Sequence, residues 1–371
     1  MQLKKIIADH ANQFSAQYDT YLLPGQRRAL DAILACRSSC GEFVVECEGC
    51  TTRTSLPLSC GHRACPQCQV NLGEQWFNRQ QQKLLPVNYF MVTFTIPSEL
   101  RKIAQHHQHI FYDLLFTAAA TALKTIGTNN HGMKLGMTGV LHTHTRTLDY
   151  HPHVHFIVPG GGIVTKDKAT HWKSIDENYL INEFALASIF RGILLKLLIE
   201  NSITFSRKLK GQWVAHVKNI GRGEKALRYL SRYLYRGVIN QNNINAKGSD
   251  VSFSYEESKT KQRKTKTLRA IEFIWKLMQH VLPRGFRRVR DYGFLHANAK
   301  RLLLQVQLAL GVTLTATPAE KKTMHCGICK GIVKVVHVFA QKIPLLFRRA
   351  VKTADEIVVM SCNIKTVGST S

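Results

Sequence analysis

Two histidines two positions apart could bind a metal ion together. They lie in the run His151-Pro152-His153-Val154-His155, which continues into an apolar stretch and a triple glycine at 160–162. On a β-strand successive side chains alternate between faces, so His153 and His155 point the same way while Val154 points into the opposite, apolar layer. Because imidazole is the commonest metal ligand in proteins, this spacing predicts a two-imidazole metal site.

A second histidine pair stands just before this strand. Residues 137–146 also have the composition of a strand, with His142 and His144 at period two. The short stretch 147–150 predicts a turn, so the two strands would form an antiparallel pair with histidines from both on one face. The alternative to a metal site is that surface or core histidines cluster here by chance. We favour the metal site because five of the 17 histidines lie between positions 142 and 155.

The cysteines predict a zinc site near the N-terminus. Seven of the ten cysteines fall between 36 and 68, and four of them form two Cys-x-x-Cys pairs, Cys47 with Cys50 and Cys65 with Cys68. Such pairs are typical of tetrahedral Zn²⁺, and we expect the loop between them to bring both to one ion. The residues left over could complete a second site or substitute within the first; they are Cys36, Cys40, Cys60 and His62.

A third Cys-x-x-Cys pair, Cys326 with Cys329, lies far along the chain and has no partner pair beside it. It is either a degenerate zinc ribbon or two free thiols.

Composition narrows the class of partner. The chain has 371 residues, 44% of them hydrophobic, which is enough for a buried core in two or three domains. Its 51 Lys and Arg against 24 Asp and Glu give a formal charge of +27, which implies a polyanionic partner, by default nucleic acid. No apolar run approaches the roughly 20 residues needed to span a bilayer. We therefore expect no membrane partner and a cytoplasmic, nucleoid-associated protein.

The elements that must position these residues follow from periodicity. Helices are expected over 1–35, 71–85, 98–126, 180–200 and 224–236. Strands are expected over 89–96, 137–146, 151–158 and 212–218, and a hairpin over 251–255 and 267–274 with a basic tip at 258–266. Strands with inserted helices describe an α+β fold with a mainly antiparallel central sheet, preceded by a small zinc-binding module.

The expected helix at 224–236 holds two tyrosines one turn apart. At about 100° per residue, Tyr229 and Tyr233 lie between an apolar stripe and a cationic stripe. The apolar stripe holds Leu227, Leu230 and Leu234, and the cationic stripe holds Lys225, Arg228, Arg232 and Arg236. Taken alone, the pair is typical of structural tyrosines at the edge of the hydrophobic core. Beside a metal site, a phenol can instead attack a phosphodiester while guanidinium groups hold the phosphate.

These motifs in this order resemble the rolling-circle insertion-sequence transposases of the HUH superfamily, the two-tyrosine type with an N-terminal zinc-binding domain. The resemblance covers about residues 20–310, through the cysteine pairs, the strand at 89–97, the histidine strands, Tyr229-Leu230-x-Arg232-Tyr233 and the segment 281–295. It implies an HUH endonuclease-like domain in which His153 and His155 are metal ligands and Tyr229 and Tyr233 are nucleophiles. It also implies a third metal ligand, for which we choose His142, with His144 close behind.

The resemblance divides the chain into four segments. We expect a helical segment with the zinc module over 1–85, the HUH catalytic domain over 86–275, a helical DNA-contacting extension over 276–312, and a C-terminal tail over 313–371 with a partial zinc-ribbon-like cysteine pair. The side chains expected to bind DNA are Arg228, Arg232, Arg236, Arg284, Arg287 and Arg288.

The expected function is a DNA transposase that nicks and joins single-stranded DNA through a 5′-phosphotyrosine intermediate. Its cofactors would be Mg²⁺ or Mn²⁺ at the histidine site and Zn²⁺ at the cysteine module. Its partners would be the single-stranded ends of the transposon and the target. Whether the chain also forms a homo-oligomer is left open by the sequence. The alternatives are a replication initiator or relaxase-like nickase of the same superfamily, and a non-catalytic zinc-dependent binder of single-stranded DNA.

Overall fold

The computed structural model describes residues 2–68, 70–166, 169–175, 181–206, 209–225, 227–228, 238–257, 260–312, 323–343 and 345–347. Within it the chain forms two compact units. Unit 1 comprises Met1–Leu72, Tyr235–Val281 and Pro318–Ser371, and unit 2 comprises Gly73–Leu234 and Leu282–Thr317. Each unit therefore draws on segments that are distant in the sequence.

Unit 1 opens with three helices and ends with a β-hairpin. The helices are α1 (Gln2–Asp9), α2 (Ala11–Tyr18) and α3 (Pro24–Ala35), and they are followed by β1 (Gly41–Cys47) and β2 (Arg53–Pro57). The C-terminal strands β13 (Met324–His325) and β14 (Ile332–Ala340) join them in a four-stranded sheet of order β13-β14-β1-β2. The pairing of β1 with β14 is antiparallel from Gly41 with Ala340 to Cys47 with Val333.

The middle segment of unit 1 supplies a second sheet and a helix. Strands β9 (Ile244–Lys247), β10 (Asp250–Glu256) and β11 (Arg263–Arg269) form a three-stranded sheet of order β11-β10-β9, followed by α8 (Ala270–Met278). Helix α8 packs on the N-terminal helices, because Trp275 stacks on Tyr18 with ring centroids 4.7 Å apart. The Gln26 amide also donates to the Met278 carbonyl at 3.0 Å.

Unit 2 is built on a five-stranded antiparallel sheet of order β12-β4-β5-β3-β8. Its strands are β3 (Asn88–Thr95), β4 (Met137–His144), β5 (Tyr150–Pro159), β8 (Val214–Arg222) and β12 (Val289–Tyr292). The inserted helices are α5 (Glu99–His106), α6 (Gln108–His131) and α7 (Glu183–Glu200). The unit also contains α4 (Val70–Gln81, mainly within it), the small sheet of β6 (Gly161–Lys166) with β7 (Ala169–Ser174), and α9 (Lys300–Ala309).

The core of unit 2 lies between one face of this sheet and helices α6 and α7. Phe94 of the sheet contacts both Phe156 on the neighbouring strand and Phe190 of α7, with the Phe94 and Phe190 rings 4.9 Å apart, and all three side chains are buried. Among the described residues, α6 is the one helix long and apolar enough to cross a membrane by length and composition. Two thirds of its most apolar window is buried inside the protein, because its side chains form this core.

Two local predictions from the sequence were wrong. The strand expected over 267–274 ends at Arg269, and α8 begins at Ala270. The buried residues of α8 include Ala270, Phe273, Ile274 and Leu277, which is the helical spacing i, i+3, i+4 and i+7. The single helix expected over 98–126 is two helices that meet at His107, whose φ of −114° and ψ of 38° are not helical.

The compact units also differ from the four predicted segments. Residues 235–281, which span the end of the predicted segment 86–275 and the start of the segment 276–312, fall in unit 1, and the C-terminal hairpin belongs to unit 1 as well. The physical reason lies in two long-range pairings, that of α8 with α2 and that of β14 with β1.

Candidate metal centres and active site

Three histidines of unit 2 converge on the face of the central sheet opposite its phenylalanine core. Strands β4 and β5 pair antiparallel with His142 directly opposite His153, and His155 follows two residues along β5. One ring nitrogen from each of the three lies within 4.8 Å of the others. Val154, between the two β5 histidines, is fully buried in the core cluster. The arrangement can hold one cation on three imidazoles.

Burial keeps these imidazoles neutral. The pKa values of His142 and His155 lie well below the ordinary value of 6.5, and that of His153 is also lowered, in each case chiefly because burial disfavours the charged ring. Neighbouring histidines lower the pKa of His142 and His155 further, because a second positive charge beside the first is unfavourable. A neutral imidazole carries the lone pair that a metal ion requires.

Hydrogen bonds fix two of the rings. Nδ1 of His153 lies 2.7 Å from the His151 carbonyl oxygen and must donate to it, since a carbonyl only accepts. That leaves Nε2 of His153 with its lone pair. Nδ1 of His155 shares a hydrogen bond of 2.8 Å with the Thr93 hydroxyl on β3. Such partners on the second ring nitrogen are what orients a histidine ligand toward a metal.

His144 stands apart from the cluster. The register between β4 and β5 shifts after His142, so that His144 pairs with Tyr150, and its ring centroid is 6.3 Å from that of His142. The turn at 145–149 closes with Leu148 in the left-handed region at φ 64°. The geometry therefore groups His142, not His144, with the two β5 histidines.

Two arginines of unit 2 flank the histidines. Arg288 donates from Nε to the Leu141 carbonyl at 3.0 Å, and its charge contributes to the lowered pKa of His142 and His153. Arg101 on α5 acts in the same way on His151 and His153. The Arg101 Nε is buried and has no hydrogen-bond partner in the part of the chain that the structure describes. Arg101 was not predicted as a site residue, because nothing in the sequence distinguishes it from Lys102 beside it.

The other predicted DNA-binding and catalytic residues, as far as the structure describes them, are not part of the histidine cluster. Arg284 and Arg287 are exposed. Arg228 pairs with Glu224 at 2.7 Å and lies over the Phe77 ring at 4.8 Å. The remaining predictions lie outside the described residues; they are Tyr229, Tyr233, Arg232 and Arg236.

The cysteines form two clusters of four in unit 1, and this corrects the prediction of one site shared by Cys47, Cys50, Cys65 and Cys68. The first cluster is Cys36, Cys60, Cys65 and Cys68. The second is Cys47, Cys50, Cys326 and Cys329, so the C-terminal pair does have a partner pair. The prediction failed because the pairing of β1 with β14 places the C-terminal hairpin, and with it Cys326 and Cys329, beside Cys47.

The first cluster has the dimensions of a tetrahedral zinc site. Its closest Sγ atoms are 3.5 to 3.6 Å apart, and a Zn–S bond of about 2.3 Å separates tetrahedral sulfurs by about 3.8 Å. Hydrogen bonds from Cys60 and Cys65 lower the pKa of the Cys36 thiol to about 7. The remaining two candidates lie outside both clusters: Cys40 Sγ donates to the Ala35 carbonyl, and His62 Nδ1 accepts from the Ala64 amide.

Comparisons with known proteins match both regions. A family model described as "Transposase zinc-binding domain" matches residues 6–96, and one described as "Putative transposase" matches residues 136–302. The first cysteine cluster lies within the former match and the histidine cluster within the latter. Cys326 and Cys329 lie outside both matches.

Two curated proteins are similar over long stretches. The "Putative transposase y4qJ" of Sinorhizobium fredii (strain NBRC 101917 / NGR234) is 32% identical over 347 residues, which is 86% of each chain. The "Transposase for insertion sequence element IS801" of Pseudomonas savastanoi pv. phaseolicola is 28% identical over 253 residues, 64% of this chain and 61% of that protein. No solved structure matches this chain.

Proposed function

Because the chain belongs to the IS91 family of rolling-circle insertion-sequence transposases, we propose that it cuts and joins single-stranded DNA at the ends of its own element through a tyrosine nucleophile. The observation that carries this proposal is the cluster of His142, His153 and His155 on one face of the central sheet. The strongly basic composition fits a partner made of DNA.

The architecture of unit 2 supports an HUH endonuclease fold. A His-hydrophobic-His run lies on β5, the middle strand of a five-stranded antiparallel sheet, with helices inserted between the strands. The middle strand is the most rigid position that the sheet offers, because β4 and β3 hold it from both sides. Ligands on such a strand keep their spacing when DNA binds.

The donor set fits a divalent cation with open coordination positions. Three neutral imidazoles would hold the ion, and the remaining positions would face solvent or a phosphate oxygen. A bound Mg²⁺ or Mn²⁺ would polarise the scissile phosphate and stabilise the charge that develops on it. Because Mg²⁺ prefers oxygen ligands, an all-nitrogen set should favour Mn²⁺ at equal concentration.

The arginines beside the cluster would hold the phosphate. Arg101 and Arg288 each place a permanent positive charge near the histidines. Guanidinium groups bind phosphate oxygens through two parallel N–H bonds, and the buried Arg101 Nε still lacks a partner in the described residues. A phosphodiester oxygen is an acceptor that would satisfy it.

The nucleophiles of the proposal are Tyr229 and Tyr233. The phenol of one would lose its proton to solvent, and its oxygen would attack phosphorus, forming an O–P bond to the 5′ side of the break while the bond from phosphorus to the 3′ oxygen breaks. The leaving 3′ oxygen takes up a proton and becomes a free 3′-OH. Because the phosphotyrosine bond keeps the energy of the phosphodiester, a 3′-OH on another strand can reverse the step and complete the transfer. The second tyrosine would serve the second strand.

The experiment that tests the proposal is covalent trapping. Full-length protein is incubated with single-stranded DNA from the ends of its own element and Mn²⁺, then boiled in detergent and run on a denaturing gel. We expect a DNA adduct that maps by peptide mass to Tyr229 or Tyr233. The Tyr229→Phe/Tyr233→Phe double variant should give no adduct, and the matched control Tyr235→Phe should give the wild-type amount.

The outcomes separate the candidate functions. A non-catalytic DNA binder would shift the DNA on a native gel but leave nothing attached after boiling. An adduct that persists in the double Phe variant would contradict the tyrosine mechanism. Cleavage that depends on the duplex origin of a plasmid, with no joining of element ends, would favour a replication initiator or relaxase-like nickase.

A further inference from the structure

The second cysteine cluster draws its members from both ends of the chain. Cys47 is the last residue of β1 and Cys50 follows that strand, whereas Cys326 and Cys329 lie between β13 and β14, nearly three hundred positions later. The Sγ atoms of Cys47 and Cys329 are 3.3 Å apart, and those of Cys50 and Cys326 are 3.7 Å apart. These distances exceed the roughly 2.05 Å of a disulfide and are close to the separation of sulfurs around one zinc ion.

The two Cys-x-x-Cys turns share the same pattern of backbone hydrogen bonds. Cys47 N donates to the Thr52 carbonyl at 3.0 Å, and Thr51 N donates to the Cys47 carbonyl at 3.0 Å. In the other turn, Cys326 N donates to the Gly331 carbonyl at 2.8 Å, and Lys330 N donates to the Cys326 carbonyl at 3.1 Å. The residue after each pair has a left-handed backbone conformation, with φ 56° at Thr51 and φ 62° at Lys330. Two segments unrelated in sequence position therefore adopt one turn.

Backbone amides point at the first sulfur of each turn. Gly49 N donates to Cys47 Sγ at 3.3 Å, and Ile328 N donates to Cys326 Sγ at 3.4 Å. An amide that donates to sulfur stabilises a thiolate more than a thiol, because hydrogen bonds to charged acceptors are the stronger ones. Both turns are thus arranged for thiolates, which is the form in which cysteine binds a metal.

The backbone at Gly331 packs closely against two of the sulfurs. A Cβ added at Gly331 would lie 3.2 Å from Cys47 Sγ and 3.3 Å from Cys329 Sγ, closer than most real contacts of a Cβ. The β1–β14 pairing ends at Cys47 opposite Val333, so the sheet places the two Cys-x-x-Cys turns next to each other. Next to it, Glu48 N donates to the Ile332 carbonyl at 3.0 Å.

We infer that the protein binds a second structural zinc ion on Cys47, Cys50, Cys326 and Cys329, which fastens the C-terminal hairpin to the N-terminal zinc module. The ion would be held by four Zn–S bonds, and each cysteine that is a thiol before binding releases its proton to solvent. The site is closed, since four sulfurs complete a tetrahedron, so its role is to stabilise the fold. The sheet β13-β14-β1-β2 then becomes a zinc ribbon whose halves come from opposite ends of the chain.

Zinc content and thiol protection in the full-length protein test this inference. Protein prepared without chelators should contain about two zinc ions per chain, one for each tetrahedral cluster. Cys326→Ser/Cys329→Ser should lose one ion and keep the other, and Cys65→Ser/Cys68→Ser should do the same for the first cluster. Cys40→Ser removes a buried thiol that neither cluster uses and should keep both.

Alkylation of the wild-type protein keeps the test independent of whether the variants fold. Iodoacetamide should leave Cys326 and Cys329 unmodified until zinc is removed, although the Cys329 side chain is exposed. One zinc per wild-type chain, or rapid alkylation of Cys329 in the zinc-loaded protein, would overturn the inference. Retention of both ions by Cys326→Ser/Cys329→Ser would overturn it as well. None of these readouts depends on DNA cleavage, so the proposed function can fail while this inference stands.

Discussion

The cysteine clusters and the histidine cluster differ in how many ligands they offer and in what surrounds them. Each cysteine cluster has four sulfurs, which complete a tetrahedral shell, and amides donate to the sulfurs of the second. The histidine cluster has three nitrogens with Arg101 and Arg288 beside it. Structural metal sites are closed, and catalytic sites keep a position for substrate. Under the proposed function, we therefore expect the metal sites of unit 1 to stabilise the fold and the site of unit 2 to carry the chemistry.

The largest effect is expected from removing two histidine ligands. His153→Ala/His155→Ala should lower the cleavage rate about a thousandfold or more, because the scissile phosphate loses its cation. DNA binding should stay within about twofold of wild type, since it rests on dispersed charges. The exposed His171→Ala is the matched control and should cleave normally. Cleavage by the double variant at the wild-type rate would refute the assignment of the site.

Chelation should separate the two kinds of site. Brief treatment with EDTA should stop cleavage while zinc content and circular dichroism stay unchanged, and Mn²⁺ should restore the activity. Structural zinc is held by about 10–16 kcal/mol, whereas Mn²⁺ stands lowest in the affinity order of the divalent first-row metals and Mg²⁺ prefers oxygen ligands to nitrogen. The measurement is zinc content after gel filtration, alongside the cleavage assay. If zinc and activity disappeared at the same EDTA concentration, the division of roles would be wrong.

A smaller loss is expected from Arg101→Ala. Removing a charge-assisted contact to the phosphate should lower the cleavage rate about tenfold to a hundredfold, with little change in the amount of DNA bound. Lys102→Ala, the adjacent cation on α5, should cleave at a rate close to wild type. Single-turnover kinetics with saturating DNA would measure both. Equal losses in the two variants would mean that α5 only contributes general positive charge.

The hydroxyl of Thr93 should affect metal affinity. Thr93→Val keeps the shape of the side chain but removes the hydrogen bond to His155, so about tenfold more Mn²⁺ should be needed for half-maximal cleavage. Thr93→Ser retains a hydroxyl and should resemble wild type. A metal titration of the cleavage rate distinguishes the two. Equal behaviour of Val and Ser at this position would show that the hydrogen bond does not orient the ring.

The smallest effect concerns acid stability in protein whose histidine site is free of metal. The pKa values of His142, His153 and His155 lie below the unfolded value of 6.5, so below pH 6.5 the unfolded state binds more protons than the folded state. The free energy of unfolding should therefore fall as pH drops from 6.5, by up to about 1.4 kcal/mol per pH unit for each imidazole. Urea unfolding at pH 5.5 and 7 measures this, and the slope should be shallower in His153→Ala/His155→Ala.

Local patterns predicted the two strands that hold the histidine cluster well. The period of two in the histidine run and the turn after 146 gave β4 and β5, and the shared face of His153 and His155 follows from strand geometry alone. The helical boundary at Ala270 was missed, although the spacing of Phe273, Ile274 and Leu277 was present in the sequence. An apolar run of this length fits a strand or a helix until its buried face is known.

The sequence by itself determined which residues could bind metal, and the tertiary structure decided which of them lie together. Cys-x-x-Cys spacing is a local property of a tight turn, so each pair was visible in the sequence. The partner of each pair depends on the pairing of β1 with β14, which joins residues nearly three hundred positions apart. In the same way, the register of β4 on β5 places His142 opposite His153, and the shift in register after His142 places His144 opposite Tyr150.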